Sequence, residues 1–150
     1  MNTWNFRLNS QPTEILEKLE AELQKLGGFT FEKKGATAFM FRKRALYAWY
    51  MAFQNWTVVK GELASKEDAT EVNISFGQHF FIKIIVALHL VLGIGFLAVF
   101  ISSGTSVSDY IPGIMLVFLG VMIWIAGRKK FERDILKYRT LLIQIFELKG

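Results

Sequence analysis

Two uncharged apolar stretches of eighteen residues, 84–101 (IIVALHLVLGIGFLAVFI) and 110–127 (YIPGIMLVFLGVMIWIAG), restrict this chain more than any other feature. A helix rises about 1.5 Å per residue, so each makes a rod of roughly 27 Å, close to the roughly 30 Å hydrocarbon core of a bilayer. Only the polar stretch 102–109 (SSGTSVSD) separates them. Together they read as a transmembrane hairpin, spanning about 80–101 and 110–127.

Charge placement gives the hairpin a direction. All 18 Lys and Arg lie outside 84–127, and the turn between the two stretches has none. Clusters stand at Arg42, Lys43 and Arg44 and at Arg128, Lys129 and Lys130, the second directly after the second span. Lys83 marks the edge of the first span, its stem along lipid and its ammonium among the headgroups. Segments rich in Lys and Arg stay cytoplasmic. The expectation is a multi-pass protein of the cell (inner) membrane with both termini in the cytoplasm. The start, MNTWNFRLNS, has no basic leader followed by an apolar core, so no signal peptide is expected. The lack of cysteine excludes disulfides, thiolate metal sites and cysteine nucleophiles, and fits a reducing cytosol.

The residues before the hairpin carry the signals of a small α+β domain. In 3–9 (TWNFRLN), Trp4, Phe6 and Leu8 alternate with polar neighbours, the period of a half-buried strand. Ser10 offers an N-cap and Pro12 suits a first helical turn, so a helix is expected over 11–26. Its apolar face is Ile15, Leu16, Leu19, Leu23 and Leu26, and Gly27-Gly28 ends it. Strands follow at 29–33 and 36–43 around a Lys34-Gly35 turn, then at 57–63 and 70–76 over a polar loop at 64–69. Residues 44–56 are ambiguous, with aromatics at helical spacing that also suit a strand. The fold class expected is α+β: a small antiparallel sheet with one packing helix, a transmembrane hairpin and a C-terminal cytoplasmic helix. The parts are 1–78, 79–127 and 128–150. In the last, Phe131, Ile135, Tyr138, Leu142 and Ile145 step by four, three, four and three, a heptad-like seam of about two heptads. That tail is too apolar for a free helix, and should pack on the soluble domain, the membrane surface or another copy.

This layout, with a leading aromatic strand, a Ser/Pro-started helix and a sheet ending in WTVVKGEL…TEVNISF ahead of two spans, resembles small uncharacterised bacterial membrane proteins with a cytoplasmic α+β head and a C-terminal hairpin. The resemblance covers the whole chain and implies no activity and no site residues.

Candidate sites are few. His89 stands mid-membrane, where polar groups are costly and often functional. A proton relay or a haem ligand is one reading; a neutral histidine bonded to a neighbouring helix is simpler, because the other span offers only Met115 and Met122 as partners. Gly113, Gly120 and Gly127 share a face of the second span, and small residues let helix backbones approach in lipid. They pack either on the first span, through Ala87, Gly93, Gly95 or Ala98, or on a second copy. Through 41–56, the cations Arg42, Lys43 and Arg44 accompany Tyr47, Trp49, Tyr50, Phe53 and Trp56. These read as core filling or as contact with anionic lipid, for which Trp49 and Tyr50 are interface candidates; nucleic acid is disfavoured in a domain tethered near a bilayer. No nucleophile elbow, phosphate-binding glycine loop, HExxH or paired-histidine spacing occurs, so no enzyme, catalytic residue, cofactor or metal is expected. The expected function is a membrane-tethered binding or regulatory module whose partner is a cytoplasmic protein, a lipid or a small ligand. The alternative is a self-assembling pore or effector, a homo-oligomer through the second span and the C-terminal helix. Uncharged spans lack the ionisable ring of a conducting pore, which favours the first.

Overall fold

Period-two alternation in the N-terminal part becomes one continuous sheet. The computed structural model describes residues 3–44, 57–66, 69–103 and 106–148. Among them are β1 (Thr3–Leu8), α1 (Pro12–Leu26), β2 (Phe29–Lys33), β3 (Ala38–Lys43), β4 (Thr57–Lys66), β5 (Ala69–Gln78), α2 (Phe80–Ser103) and α3 (Ile111–Phe146), with a 3-10 turn at Val107–Tyr110. The chain divides into two units: Met1–His79 with Glu132–Gly150, here the head, and Phe80–Phe131, the hairpin.

The head is α+β, and its strands run β1-β5-β4-β3-β2 with every neighbouring pair antiparallel. The register gathers the apolar positions on one face. Trp4 lies opposite Ile74, Phe6 opposite Val72, Val59 between Phe76 and Phe41, and Phe41 beside Phe31. Gly61 fills the row between Phe39 and Ile74, and a Cβ there would overlap the Phe39 ring that lies across it. The other face carries Arg7, Glu32, Arg42, Lys60 and Glu62, all exposed.

Two helical segments cover the apolar face, where one packing helix was expected. The first is α1, which buries Ile15, Leu16, Leu19 and Leu23. Leu26, expected on that face, is 56% exposed because the chain turns away at Gly27 and Gly28, both in the left-handed region. The second is the C-terminal part of α3. Its heptad-like positions Ile135, Tyr138, Leu142 and Ile145 are buried. The Tyr138 ring meets Phe41 edge-on at 5.7 Å, and Phe146 meets Phe6 at 6.0 Å. Arg139 lies over the Phe76 ring and its Nη2 donates to the Thr3 carbonyl at 3.4 Å. Thr57, fully buried on β4, donates to the Asp134 carboxylate at 3.0 Å. The seam is therefore a helix-on-sheet contact.

Some boundaries differ from those expected. Gln11, rather than Ser10, precedes the first turn of α1, because a residue before proline is pushed out of helical geometry. Its backbone N–H donates to Glu14, while the Ser10 carbonyl accepts from the buried Thr70 hydroxyl at 2.6 Å. β3 starts at Ala38, after a turn closed by the Lys34 N–H on the Ala38 carbonyl, with Gly35 at positive φ. β4 and β5 run on to Lys66 and Ala69, through most of the expected polar loop. Backbone pairing holds that extension and a Lys66–Glu71 ion pair (2.6 Å) spans its polar face, so no apolar alternation marks it.

Leu142 is fully buried and Leu136, on the same helix, is 64% exposed. Leu142→Ala should therefore cost about 2–5 kcal/mol, against roughly 0.5 kcal/mol or less for Leu136→Ala, in thermal unfolding of the purified chain. Burial, and secondarily the Asp134 carboxylate, pushes the Tyr138 phenol up to about 12, against a smaller opposing pull from the Lys43 backbone. The unfolded phenol ionises near 10, so this group leaves stability flat below that pH. Between about pH 10 and 12 the unfolded state releases the proton first and up to ~3 kcal/mol is lost. Tyr138→Phe should remove this part of the alkaline loss, read by unfolding at stepped pH.

Candidate membrane interface

Both α2 and α3 are long and apolar enough to cross a membrane. Their side chains fit lipid as solvent: Val91, Ile94, Val99, Met115, Phe118 and Trp124 are all more than half exposed, except where the two helices meet. That meeting is built on glycine. A Cβ on Gly93 would stand 2.7 Å from the Val117 side chain and 3.0 Å from the Gly113 carbonyl; one on Gly113 would stand 2.8 Å from Leu97. A Cβ on Gly120 would lie 3.1 Å from His89 Cβ. Gly127 is also buried. Of the first-span candidates, Gly93 alone faces the partner helix. At about 100° per residue, Gly95, Ala87 and Ala98 point well away from it, and all three are exposed.

His89 Nδ1 donates to the Ile85 carbonyl at 2.8 Å, one turn earlier on its own helix. Its ring therefore satisfies a backbone group of α2, and its Cβ packs against Gly120. Among the described residues, no three His, Asp or Glu side chains are placed to hold a metal ion.

The contacts of 89 with 120, 93 with 117 and 97 with 113 describe an antiparallel pair in which each step up α2 is a step down α3. Extended along both helices, this register sets Lys83 level with residues near Gly127. Lys83 and the run Arg128, Lys129 and Lys130 thus occupy one end of the hairpin, with Lys83, Arg128 and Lys129 exposed. The other end holds serines and one carboxylate. Ser102 and Ser103 donate to the Val99 carbonyl, and the Asp109 carboxylate accepts from the Ser106 N–H and hydroxyl, each at 3.0 Å.

In the head, one end of the sheet gathers the ends of β3 and β5 with the starts of β1, β2 and β4. Arg42, Lys43 and Arg44 are there, all exposed, and the Arg44 N–H fixes the end of β3 on the Gly28 carbonyl at 2.7 Å. From the same end the chain passes through Gln78 and His79 into the apolar helix α2. Arg42 and Gly77 flank Val58 in the register, two strand spacings or about 10 Å apart. Gly77 leaves open space on that path, and Arg42 Nη1 reaches His79 Nε2 at 3.0 Å. A guanidinium only donates, so Nε2 accepts and the imidazole is neutral. Burial first, and the Arg42 charge second, lower the His79 pKa, which keeps it so. His79 was not singled out by sequence; only the aligned register of β3, β4 and β5 puts it beside Arg42. Trp49 and Tyr50, with the rest of 45–56, lie outside the described residues. At the far end of the sheet the head bears two open depressions, one near Ala38, Glu62 and Asn73 and one near Ser10, Gln11 and Lys66.

No family model matches this chain, and no curated protein matches it either.

The glycine contacts make a paired expectation. Gly93→Ala puts a methyl into Val117 and the Gly113 backbone, whereas a Cβ on Gly95 meets nothing within 4 Å. In detergent, Gly93→Ala should lower the thermal midpoint and open the hairpin to proteolysis at the turn. Gly95→Ala should match the parent in both assays.

Proposed function

We propose that this chain is a membrane-tethered binding or regulatory module: a multi-pass protein of a bacterial cell (inner) membrane, with the head and both termini in the cytoplasm. The observation that carries the orientation is the polarity of the hairpin. Lys83 and Arg128, Lys129 and Lys130 share one end, and the opposite turn contains no Lys or Arg at all. Cations flanking spans are retained on the cytoplasmic side. The sheet end that leads into α2 adds Arg42, Lys43 and Arg44 on the same reasoning.

A binding role rather than a catalytic one is supported by the surface of the head. Its second sheet face presents Arg7, Glu32, Lys60 and Glu62 to solvent, with both signs interspersed across a five-stranded platform. Such a surface suits a cytoplasmic protein or a small polar ligand.

The chain contains no cysteine, so single introduced thiols report their own position. Ser108→Cys, in the turn, should react with a membrane-impermeant maleimide on intact cells. Ser65→Cys, exposed on the head, should react only after lysis. Equal labelling of both, or the reverse pattern, would overturn the orientation.

A further inference from the structure

We propose that Arg42, Lys43 and Arg44 form a rim that binds the phosphate of anionic phospholipid headgroups, with Arg42 positioned by His79. The inference rests on the tethered reading above and adds the class of lipid.

Three observations converge on this rim. The first is placement: the three cations end β3 at the edge of the sheet from which the chain enters α2, and Arg42 is hydrogen-bonded to the residue immediately preceding that helix. Through His79, which Phe80 directly follows, Arg42 is tied to the residue from which the first span of the tethered reading starts. The second is charge. The partner of Arg42 is a neutral imidazole accepting a single N–H at 3.0 Å, so the contact orients the guanidinium without neutralising it. A guanidinium presents five N–H donors in a planar fork that matches phosphate, and His79 takes one of them. The third is contrast along the sheet. Two lysines at the far end are paired within the head: Lys33 with Glu20 at 2.7 Å and Lys66 with Glu71 at 2.6 Å. The Glu71 carboxyl is held below its usual range chiefly by its hydrogen bond and attraction to Lys66. Lys33 and Lys66 have carboxylates as partners, and among the described residues no carboxylate is paired with Arg42.

Alternation spreads the rim. Arg42 and Lys43 fall on opposite sides of β3, so the three cannot converge on a single small anion as one pocket would. They suit a surface of many phosphates. Each cation at such a surface contributes about a fivefold preference for anionic over zwitterionic lipid, and salt weakens it.

The test uses the full chain, delipidated in detergent, titrated with an equimolar mixture of phosphatidylglycerol and phosphatidylcholine and read by native mass spectrometry of the retained adducts. The parent should retain phosphatidylglycerol preferentially, and the combined Arg42→Gln, Lys43→Gln, Arg44→Gln variant should lose that preference. His79→Ala should lose about fivefold or less, since it removes positioning but no charge. Lys33→Gln with Lys34→Gln, at the far end, should leave the preference intact. Circular dichroism and the thermal midpoint of each variant separate loss of binding from loss of fold. Equal retention of the two lipids by the parent, or an undiminished preference in a folded triple variant, would overturn the proposal. So would inorganic phosphate raising the parent's thermal midpoint as much as phosphatidylglycerol does, which would assign the rim to a soluble anion. Release of the chain from membranes by alkaline carbonate would instead overturn the tethered reading itself, a separate outcome.

Discussion

The head depends on covering one apolar sheet face. Five strands at about 4.8 Å spacing present a surface roughly 20–24 Å across, while a helix with its side chains is about 10–12 Å wide. One helix leaves half of Phe6, Phe41, Val72 and Phe76 in water; two close it. α1 supplies the first from local sequence, and the C-terminal part of α3 supplies the second from more than fifty residues beyond the last strand. Burial at roughly 25 cal/mol per Å² makes this the dominant stabilising term for the head. The polar bonds at its margins, Thr57 to Asp134 and Thr70 to the Ser10 carbonyl, keep buried hydroxyls satisfied rather than adding much of their own.

The same helix carries two patterns. Its 36 residues make a rod of about 54 Å, nearly twice the hydrocarbon thickness of a bilayer. Over 111–127 it is apolar on nearly every side, so hydrophobicity alone favours no one face over another. Close van der Waals approach does, which is why glycines occupy its contact face. Over 131–146 it becomes amphipathic, with Ile135, Leu142 and Ile145 buried and Arg133, Lys137 and Glu132 outside. The change of pattern marks the change of driving force.

Much of this was legible in the residues, and what was not follows a physical rule. Alternation in TWNFRLN and TEVNISF identified strands because one sheet face is dry. The spacing of Phe131, Ile135, Tyr138, Leu142 and Ile145 identified a buried stripe. Periodicity says that a face is covered but not by what, and the partner of Arg139 is Thr3, 136 positions away. The tail was therefore readable as packed and unreadable as the sheet's second helix. The extension of the β4–β5 hairpin was missed because backbone pairing holds it without burying alternate side chains. The clusters Arg42–Arg44 and Arg128–Lys130 were visible as runs of charge. The Arg42–His79 contact was not, since it needs the register of three strands. Gly95 and Gly93 look alike in sequence, and only a 200° rotation about the helix axis separates a packing glycine from a lipid-facing one.

Because α3 completes the head, the order of synthesis matters. All five strands are made before the hairpin, yet the face they form has only α1 to cover it until residues 132–146 have also been made. During that interval Phe6, Phe41 and Phe76 lie under an incomplete roof, beside a following segment that is itself almost wholly apolar. Contacts of such long sequence separation close late and slowly. Synthesis of the whole hairpin thus precedes closure of the domain ahead of it, and a chain that stops short of residues 132–146 leaves the sheet half covered. The C-terminal stripe can roof the N-terminal sheet only once everything between them has been made.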